Sequence, residues 1–425
     1  MYDRMLLFQG ATSSEAYYIS TPTDGSGTYQ IDVANNAQTL NVDSAGEISL
    51  CASQYDFING VGPFTISRFT GDGTAVISKS INVSLIGQVM ARDSAGNYYI
   101  ASVANSTAFY LFKLDSSGAI TWQKTITTPT STAFVTGIRV DSTDANVYIC
   151  GYRTVSATNY AFLVKITSAG AHSFTRVAST ASQFNSMTID SSDNVYCCGY
   201  YGASGGMLVM KFTSTGTTSF TRRYYLSTGS TTVLGYGQGI ACDNTALYVS
   251  GTFNGLQHVL EMDLTGVITW SRYSNVAIPF REAPASVGYD SSGNVYMGQG
   301  DGSTAYTIYK FDGSGNLSWQ RKITSSNIGI SGENIIVKNS IVYATASKYD
   351  GAGNNIGIYL NKVPSDGTLT NGGTYTAASY TVGAAPATIN QAATTVTVGT
   401  TAFTITTPTF AVSTDNVYLN KTTVL

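Results

Sequence analysis

The feature that most constrains this chain is a repeat that runs along nearly its whole length. Its best-preserved copy begins at Val140 with an acidic turn and ends at Arg176 after a second turn and an aromatic strand. The residue ahead of the second turn recurs from Arg68 to Lys362 in six intervals, so the mean spacing is 49 residues. A unit this short cannot bury both of its faces alone, and the copies must therefore pack against one another.

Each copy opens with a hairpin whose turn is polar and mostly acidic. Turns of the Asp-Ser-x-Gly-Asn type, each ahead of an apolar and aromatic strand, begin at Asp43, Asp93, Asp141, Asp190, Asp243, Asp290 and Asn339. Asp and Ser form hydrogen bonds with nearby backbone amides, and Gly or Asn tolerates the positive φ that such a turn needs. The motif therefore indicates a strand-turn-strand corner rather than a cation-binding loop.

A second hairpin follows, and its last strand carries an aromatic residue and then a base. Its turns begin at Asp115, Thr167, Thr213, Asp263 and Asp312, its aromatic residues are Trp122, Phe174, Phe220, Trp270 and Trp319, and its bases are Lys124, Arg176, Arg222, Arg272 and Arg321. Alternation along a strand puts the aromatic residue and the base on one face. We expect the base to cover apolar surface with its stem and to keep its charge in water, rather than to bind a polyanion.

Four short strands in every unit of about 40 to 50 residues are typical of a blade, so the sequence predicts an all-β protein with a β-propeller fold. The segment from Tyr17 to Gln30 is similar to the second hairpin of a unit, and the segment from Val412 to Leu419 is similar to the first. Pairing the two would close one further blade and remove exposed edges. Eight four-stranded blades are therefore favoured, and seven blades with a C-terminal attachment segment are the alternative.

The predicted organisation has three parts. Residues 1–375 carry the propeller repeats, residues 376–408 form a Thr- and Ala-rich β insertion or tail, and residues 409–425 form the closing β-hairpin. The tail has alternating apolar positions and no charge. If it paired with strands of a neighbouring subunit, it would serve as an attachment segment.

Composition argues against several classes of function. Charged residues make up 11% of the chain and the net charge is −3, so no positive field would attract nucleic acid. There is no apolar run of about 18 residues, so we expect no membrane insertion. There is also no signal-peptide core, so we expect synthesis in a host cytoplasm. The five cysteines lack the spacing of a metal site and are expected to be reduced packing residues. With His172 and His258 as the only histidines, no metal site, His-based triad or cofactor is predicted.

The loops between the second and third strands place aromatic residues on one rim. The candidate ligand-binding residues are Tyr55, Tyr152, Arg153, Tyr200, Tyr201, Phe253 and Tyr349. Aromatic faces beside amides suit sugars, because rings pack on the apolar faces of pyranoses while amides bond to hydroxyls. The acids on the same rim, Asp56, Asp301 and Asp350, leave a polysaccharide-degrading enzyme as a rival interpretation, although no catalytic residues are assigned.

The second turn resembles the Asp-box of sialidases and other propellers. The match is best from Asp115 to Trp122 and from Asp312 to Trp319, with one extra residue between Asp and Gly. In that family the box is a structural turn remote from catalysis. The resemblance therefore implies a blade and no glycosidase activity.

The repeat from Ala16 to Tyr375 resembles those of bacterial seven-bladed β-propeller repeat proteins, and the uncharged Thr-rich tail resembles structural proteins of tailed bacteriophages. This resemblance implies a non-enzymatic virion protein, associated with a tail or fibre. Its expected partners are other virion proteins, and a host-surface glycan is the ligand that the aromatic rim would suit. A homo-oligomer within a particle is left open, and a soluble cellular scaffold is a second rival interpretation.

Overall fold

The computed structural model describes most of the chain from residue 27 to residue 413. The described ranges are 27–31, 37–53, 64–71, 75–81, 86–105, 107–128, 132–202, 205–228, 231–233, 235–277, 286–300, 305–324, 330–349, 355–367, 375–377, 382–384, 389–393, 398–399, 404–406 and 412–413. Every regular element in these ranges is a β-strand, as the sequence predicts.

The strands fall into blades in chain order after a first strand, β1 (Gly27–Ile31). Blades 1 to 3 consist of β2 (Ala37–Val42), β3 (Ile48–Ser53), β4 (Phe64–Phe69) and β5 (Ala75–Ile81); β6 (Ile86–Arg92), β7 (Tyr98–Asn105), β8 (Ala108–Leu114) and β9 (Ile120–Thr127); and β10 (Thr132–Val140), β11 (Asn146–Val155), β12 (Thr158–Thr167) and β13 (His172–Ala178). Blades 4 and 5 consist of β14 (Ser182–Ile189), β15 (Val195–Tyr201), β16 (Met207–Phe212) and β17 (Thr218–Thr228) with the added strand β18 (Thr231–Val233); and β19 (Gly235–Cys242), β20 (Ala246–Phe253), β21 (Leu256–Asp263) and β22 (Ile268–Ala277). Blades 6 and 7 consist of β23 (Val287–Tyr289), β24 (Val295–Gly300), β25 (Ala305–Phe311) and β26 (Leu317–Thr324); and β27 (Ile330–Lys338), β28 (Ile341–Tyr349) and β29 (Asn355–Pro364).

Within each blade the strands form an antiparallel meander in chain order. The first strands of neighbouring blades contact one another, so they line the central axis. Because the strands alternate in direction, the first-to-second and third-to-fourth turns share one end of the ring, which we call the lower face. The second-to-third loops and the connections between blades lie at the other end, the upper face.

The N-terminal strand closes the ring. β1 pairs antiparallel with β29, with Tyr29 opposite Leu360, and is the outermost strand of blade 7. The prediction of eight blades is therefore wrong, and the described residues form the seven blades of the alternative. The N-terminal segment does supply a fourth strand, as its similarity to a second hairpin suggests. It fills the fourth place in blade 7, because the chain leaves that blade after its third strand.

The C-terminal strands lie on the outer edges of the other blades. They are β30 (Tyr375–Ala377), β31 (Val382–Ala384), β32 (Ile389–Ala393), β33 (Val398–Gly399), β34 (Thr404–Thr406) and β35 (Val412–Ser413). In this order they pair with β26, β22, β17, β13, β9 and β5, from blade 6 back to blade 1. Of the predicted closing hairpin 409–425, the described part is therefore an added strand on blade 1, and the remainder lies outside the described residues.

The core lies between the blades. Each neighbouring pair from blades 1 and 2 to blades 6 and 7 encloses its own cluster of buried side chains in the described part of the chain. One aligned position in the second strand of each blade carries a small residue, from Cys51 in blade 1 to Thr345 in blade 7, and it is fully buried. The small side chain allows neighbouring sheets to approach closely. All five cysteines are buried and free, which confirms that they are reduced packing residues.

The acidic turn at Asp190 shows how the lower face is built. Its Oδ1 accepts hydrogen bonds from the backbone N–H of Ser192 and Asn194, at 3.0 and 2.9 Å. Its Oδ2 accepts from the Asn194 amide at 2.9 Å and from the Tyr196 hydroxyl at 3.0 Å. Burial opposes ionisation, but these hydrogen bonds outweigh it and hold the pKa of the Asp190 carboxyl below its usual value. The carboxylate holds its own turn, so the corner interpretation is confirmed here.

The repeated bases connect each blade to the next. Lys165 donates from Nζ to the carbonyl of Ser214 at 3.0 Å, and Arg176 donates from Nε to the carbonyl of Gly216 at 2.8 Å. The Arg176 guanidinium also lies 4.6 Å from the ring centroid of Phe174, so the base and the aromatic residue share a face as predicted. Arg176 stays partly exposed, and its guanidinium also binds the turn of the following blade, a contact that the sequence did not predict.

Candidate binding rim

Tyr152 and Tyr200 occupy equivalent places near the upper ends of the second strands of blades 3 and 4. Each follows a glycine that lets the first strand of its blade come close. A Cβ added at Gly151 would lie 1.9 Å from the carbonyl oxygen of Phe134, and one at Gly199 would lie 1.9 Å from that of Gln183. No larger residue fits there without moving the backbone. The glycines therefore fix the positions from which the two tyrosines project.

Both tyrosines stack on a partner ring and stay partly exposed. Tyr152 stacks on Phe134 of the same blade, with centroids 4.9 Å apart and planes inclined by 22°. Tyr200 stacks on Tyr236 of blade 5, with centroids 4.5 Å apart and planes inclined by 16°. Burial raises the pKa of Tyr152, so this side chain is a neutral hydroxyl at physiological pH. The two pairs place flat aromatic surface on the upper parts of adjacent blades.

Amides lie beside the first aromatic pair, between blades 3 and 4. Asn159 donates from Nδ2 to Oε1 of Gln183 at 3.0 Å, and its own Oδ1 accepts from the Thr154 hydroxyl at 2.8 Å. Arg153 is partly buried, and its Nε has no hydrogen-bond partner among the described residues. Aromatic faces and amides are therefore brought together at this junction, whereas Arg153 lies on the opposite face of its strand, beside Ala133 and Tyr160.

The other candidate residues are placed differently. Phe253 is fully buried in the core between blades 4 and 5, and its ring centroid lies 5.0 Å from that of His258. Tyr201 is 9% exposed and packs in the core between blades 3 and 4. Neither is part of the exposed rim. Tyr55 and the side chain of Tyr349 lie outside the described residues.

Sequence reasoning did not find Phe134, Tyr236, Asn159 or Gln183. Phe134 and Tyr236 belong to first strands, whereas the rim was sought in second-to-third loops. The Tyr200 stack and the Asn159 bond also cross from one blade to the next. The repeat gives equivalent positions but not which side chains meet across a blade junction, so no local signal would have identified these pairs.

The candidate catalytic and metal-binding groups can be placed only in part. Asp56, Asp301 and Asp350, the carboxylates of the rival enzyme interpretation, lie outside the described residues. Within the described ranges, no group of three or more His, Cys, Asp or Glu side chains is arranged to hold a metal ion. Across the same ranges, no helix is both long and apolar enough to cross a bilayer.

Comparisons with known proteins give similarity of fold alone. No protein-family model matches the sequence, and no curated protein matches it significantly. Similar solved structures include the Pan2 WD40 domain from Neurospora crassa, with 11% identity over 77% of this chain and 90% of that chain and a TM-score of 0.47. The β-propeller domain of the Trilobed protease from Pyrococcus furiosus has 10% identity over 85% of this chain and 100% of that chain, with a TM-score of 0.45. A mutant of the NanB sialidase from Streptococcus pneumoniae has 11% identity over 83% of this chain and 71% of that chain, also with a TM-score of 0.45. No conclusion about function follows from these values, and the blade count rests on the strand pairing.

Proposed function

We propose that the protein is a non-enzymatic virion component, a tail- or fibre-associated propeller that binds other virion proteins and takes a host-surface glycan at its upper face. The observation that carries the glycan part is the pair of stacks on adjacent blades, Tyr152 on Phe134 and Tyr200 on Tyr236. Stacked rings present rigid apolar faces at little cost in side-chain entropy, and such faces pack on the apolar side of a pyranose. The neighbouring amides of Asn159 and Gln183 would bond to its hydroxyls.

The rim suits binding better than hydrolysis. Glycoside hydrolysis commonly needs two carboxyl groups on either side of the scissile bond. The carboxylates of the acidic turns, such as Asp190, lie on the lower face and hold their own turns. The described upper face around blades 3 to 5 instead offers rings, amides and the Arg153 guanidinium.

A virion setting is supported by composition. The chain has only 11% charged residues, and no charged residue lies between Asp366 and Asp415. A chain with so few charges is better suited to extended contacts with other proteins in an assembly than to a free enzyme in the cytosol. Mass spectrometry of purified particles should find the protein in stoichiometric amounts, and its neighbouring genes should encode portal, capsid and tail proteins. Absence from particles would contradict the proposal that the protein is a virion component, but it would not bear on the proposed glycan site.

The glycan site is tested by removing its rings. The double variant Tyr152→Ala with Tyr200→Ala should weaken adsorption to host cells and binding to a glycan array by about tenfold or more, since it removes two ring faces and a packed aromatic contact is worth about 0.5–1.5 kcal/mol beyond area burial. Val267→Ala is the control, because Val267 is 49% exposed and lies at a lower-face turn of blade 5. Full adsorption by a double variant that melts like the wild type would contradict the proposed site.

A further inference from the structure

The C-terminal tract has a repeat of its own, much shorter than the blade repeat. A large apolar residue recurs at every seventh position, at Tyr375, Val382, Ile389, Val396, Phe403 and Phe410. In five of the six units a Val, Ile or Ala follows two places later, on an alternating pattern of the kind typical of strands, and Gln391 occupies this position in the other unit. The tract therefore contains six seven-residue units.

The structure places one strand from each unit on one blade. The strands β30 to β35 take the six units in order, and they pair in order with the outermost strands of blades 6, 5, 4, 3, 2 and 1. Seven extended residues span about 23 Å, and this is the greatest distance that one unit can cover between one blade edge and the next. The sequence repeat thus has six units, and strand pairing independently gives six covered edges.

Residue types in the tract agree with this placement. Proline removes a backbone donor and is poorly tolerated inside a paired strand. Neither proline of the tract falls within a described strand, since in the sequence Pro386 follows β31 and Pro408 follows β34. Charged side chains, which proteins use to keep open edges apart, are missing between Asp366 and Asp415. The tract is therefore composed to pair with edges rather than to avoid them.

The edges that it covers are long. The outermost meander strands β17 and β22 have 11 and 10 residues. In blade 7 the outermost strand is β1, which has 5 residues and, within the described ranges, no added strand beside it. Long open edges pair readily with other chains, and a short edge does so much less. The added strands therefore lie on the six longer outer edges, which have 7 to 11 residues.

We propose that the outer edges of blades 1 to 6 form a six-site strand-binding surface, and that the strands β30 to β35 are its built-in ligand, an intramolecular belt. Each contact is short, from two residues in β33 to five in β32, so one contact alone binds weakly. Tethering along one chain makes each later contact intramolecular, and the six act together. The belt holds neighbouring blades together and denies their edges to other copies of the chain. This inference does not depend on the proposed function.

Paired cysteines in the full chain test the register of the belt. The structure puts Lys322 opposite Thr376 on blade 6 and Thr125 opposite Thr406 on blade 2. The matched variants are Lys322→Cys with Thr376→Cys and Thr125→Cys with Thr406→Cys. The control variants exchange the partners, Lys322→Cys with Thr406→Cys and Thr125→Cys with Thr376→Cys. The native cysteines are buried and do not compete.

Mild oxidation should cross-link most of each matched pair within a monomer and little of either exchanged pair, as read by mass spectrometry of peptides. Equal cross-linking of matched and exchanged pairs would overturn the proposal. So would covalent dimers formed on mixing Lys322→Cys with Thr376→Cys as separate single variants, since the belt would then bind a second copy.

Hydrogen exchange on the unmodified chain gives a reading that does not depend on any variant folding. Amides in 382–384 and 389–393 should exchange at least tenfold more slowly than those in 385–388 and 394–397. Uniformly fast exchange through the tract would overturn the proposal.

A role in covering the edges predicts how proline variants associate. Proline within a strand, as in Gly383→Pro and Ile405→Pro, should make the protein associate as its concentration rises. The control variants Ala387→Pro and Thr407→Pro should stay monomeric. Monomers in both cases would contradict that role.

Discussion

At the scale of single residues, the fit between blades depends on glycines whose missing side chain leaves room for the preceding blade. Gly315 in blade 6 has a φ of +77°, and a Cβ there would lie 2.7 Å from Cδ2 of Trp270 in blade 5. Gly293 has nearly the same φ, +76°, with nothing within 4 Å of such a Cβ. The two positions share the backbone strain and differ in the contact.

This pair predicts a difference in stability. Gly293→Ala should lower the free energy of unfolding by about 1 kcal/mol through backbone strain alone. Gly315→Ala should lower it by about 1–3 kcal/mol more, because the methyl group must displace the Trp270 ring. Urea midpoints of the two variants measured side by side test this. Equal midpoints would mean that the ring does not press on the turn.

His258 predicts a dependence of stability on pH. The side chain lies between Phe253 and Tyr273, with centroid distances of 5.0 and 5.5 Å. Burial lowers the pKa of His258 to about 4 from an ordinary value of 6.5. The unfolded chain therefore binds the proton more readily, and stability falls as the pH drops from 6.5 to 4, by at most about 1.4 kcal/mol per pH unit.

His258→Phe keeps a ring in place and should flatten the stability profile between pH 4 and 6.5. His172→Phe is the control, because His172 is exposed and should leave the slope as in the wild type. Urea midpoints at half-unit pH steps separate the two. A His258→Phe profile with the wild-type slope would assign the acid sensitivity to the carboxylates of the turns instead.

At the scale of elements, the third strands differ in one informative place. Most of them end in a lysine whose Nζ donates to a turn carbonyl of the next blade, as at Lys113, Lys165, Lys310 and Lys362. Blade 5 has Glu261 instead, which accepts from Nε1 of Trp270 at 2.9 Å. Burial, and secondly the charge of Asp243, raises the pKa of Glu261. Its contribution is therefore favourable at low pH and is lost as the pH rises through the folded pKa.

Glu261→Lys should stabilise the protein at pH 7, by about 0.5–1 kcal/mol, since it restores the interaction that four of the other blades have. The Gly313 carbonyl would be available to Trp270, since Gly313 is the equivalent of Ser365, whose carbonyl accepts from Trp319 at 3.1 Å. Glu261→Gln, which removes only the charge, should give a smaller gain, and both gains should shrink towards pH 4. Thermal midpoints test the order, and a loss on Glu261→Lys at pH 7 would contradict it.

The repeated elements could be predicted because each blade uses the same local contacts. Three residues recur in successive units of the sequence: the Asp of the first turn, a Tyr in the following strand and the Gly of the second turn. In the structure the Tyr196 hydroxyl donates to the Asp190 carboxylate, and Gly216 has the positive φ of the second turn. The rim was harder to predict because alternate residues of a strand face opposite sides. Tyr200 and Tyr201 are neighbours, yet the first is partly exposed and the second is core.

At the scale of the whole molecule, the sequence indicates that the N-terminal segment supplies a fourth strand but not which blade receives it. The pairing of Tyr29 with Leu360 joins distant ends of the chain, and a fourth strand looks the same whichever blade receives it. The belt was hidden for a related reason, because its partners are six strands scattered from residue 75 to residue 324. Local patterns specify elements, whereas closure and belt depend on which edges remain open once the blades have formed.

Closure by β1 predicts where a cross-link stabilises the ring most. Gln30 lies opposite Tyr359, so Gln30→Cys with Tyr359→Cys should form a disulfide. The bond would close a loop through nearly the whole propeller, and chain entropy then predicts a gain of up to about 5 kcal/mol. The thermal midpoint of the oxidised protein should exceed that of the same protein after reduction. Gln30→Cys with Gly357→Cys is the register control, since a diagonal pair about 7–8 Å apart is too far for a disulfide. If both pairs cross-linked equally, or if the matched bond left the midpoint unchanged, β1 would not be the strand that holds the seventh blade in the ring.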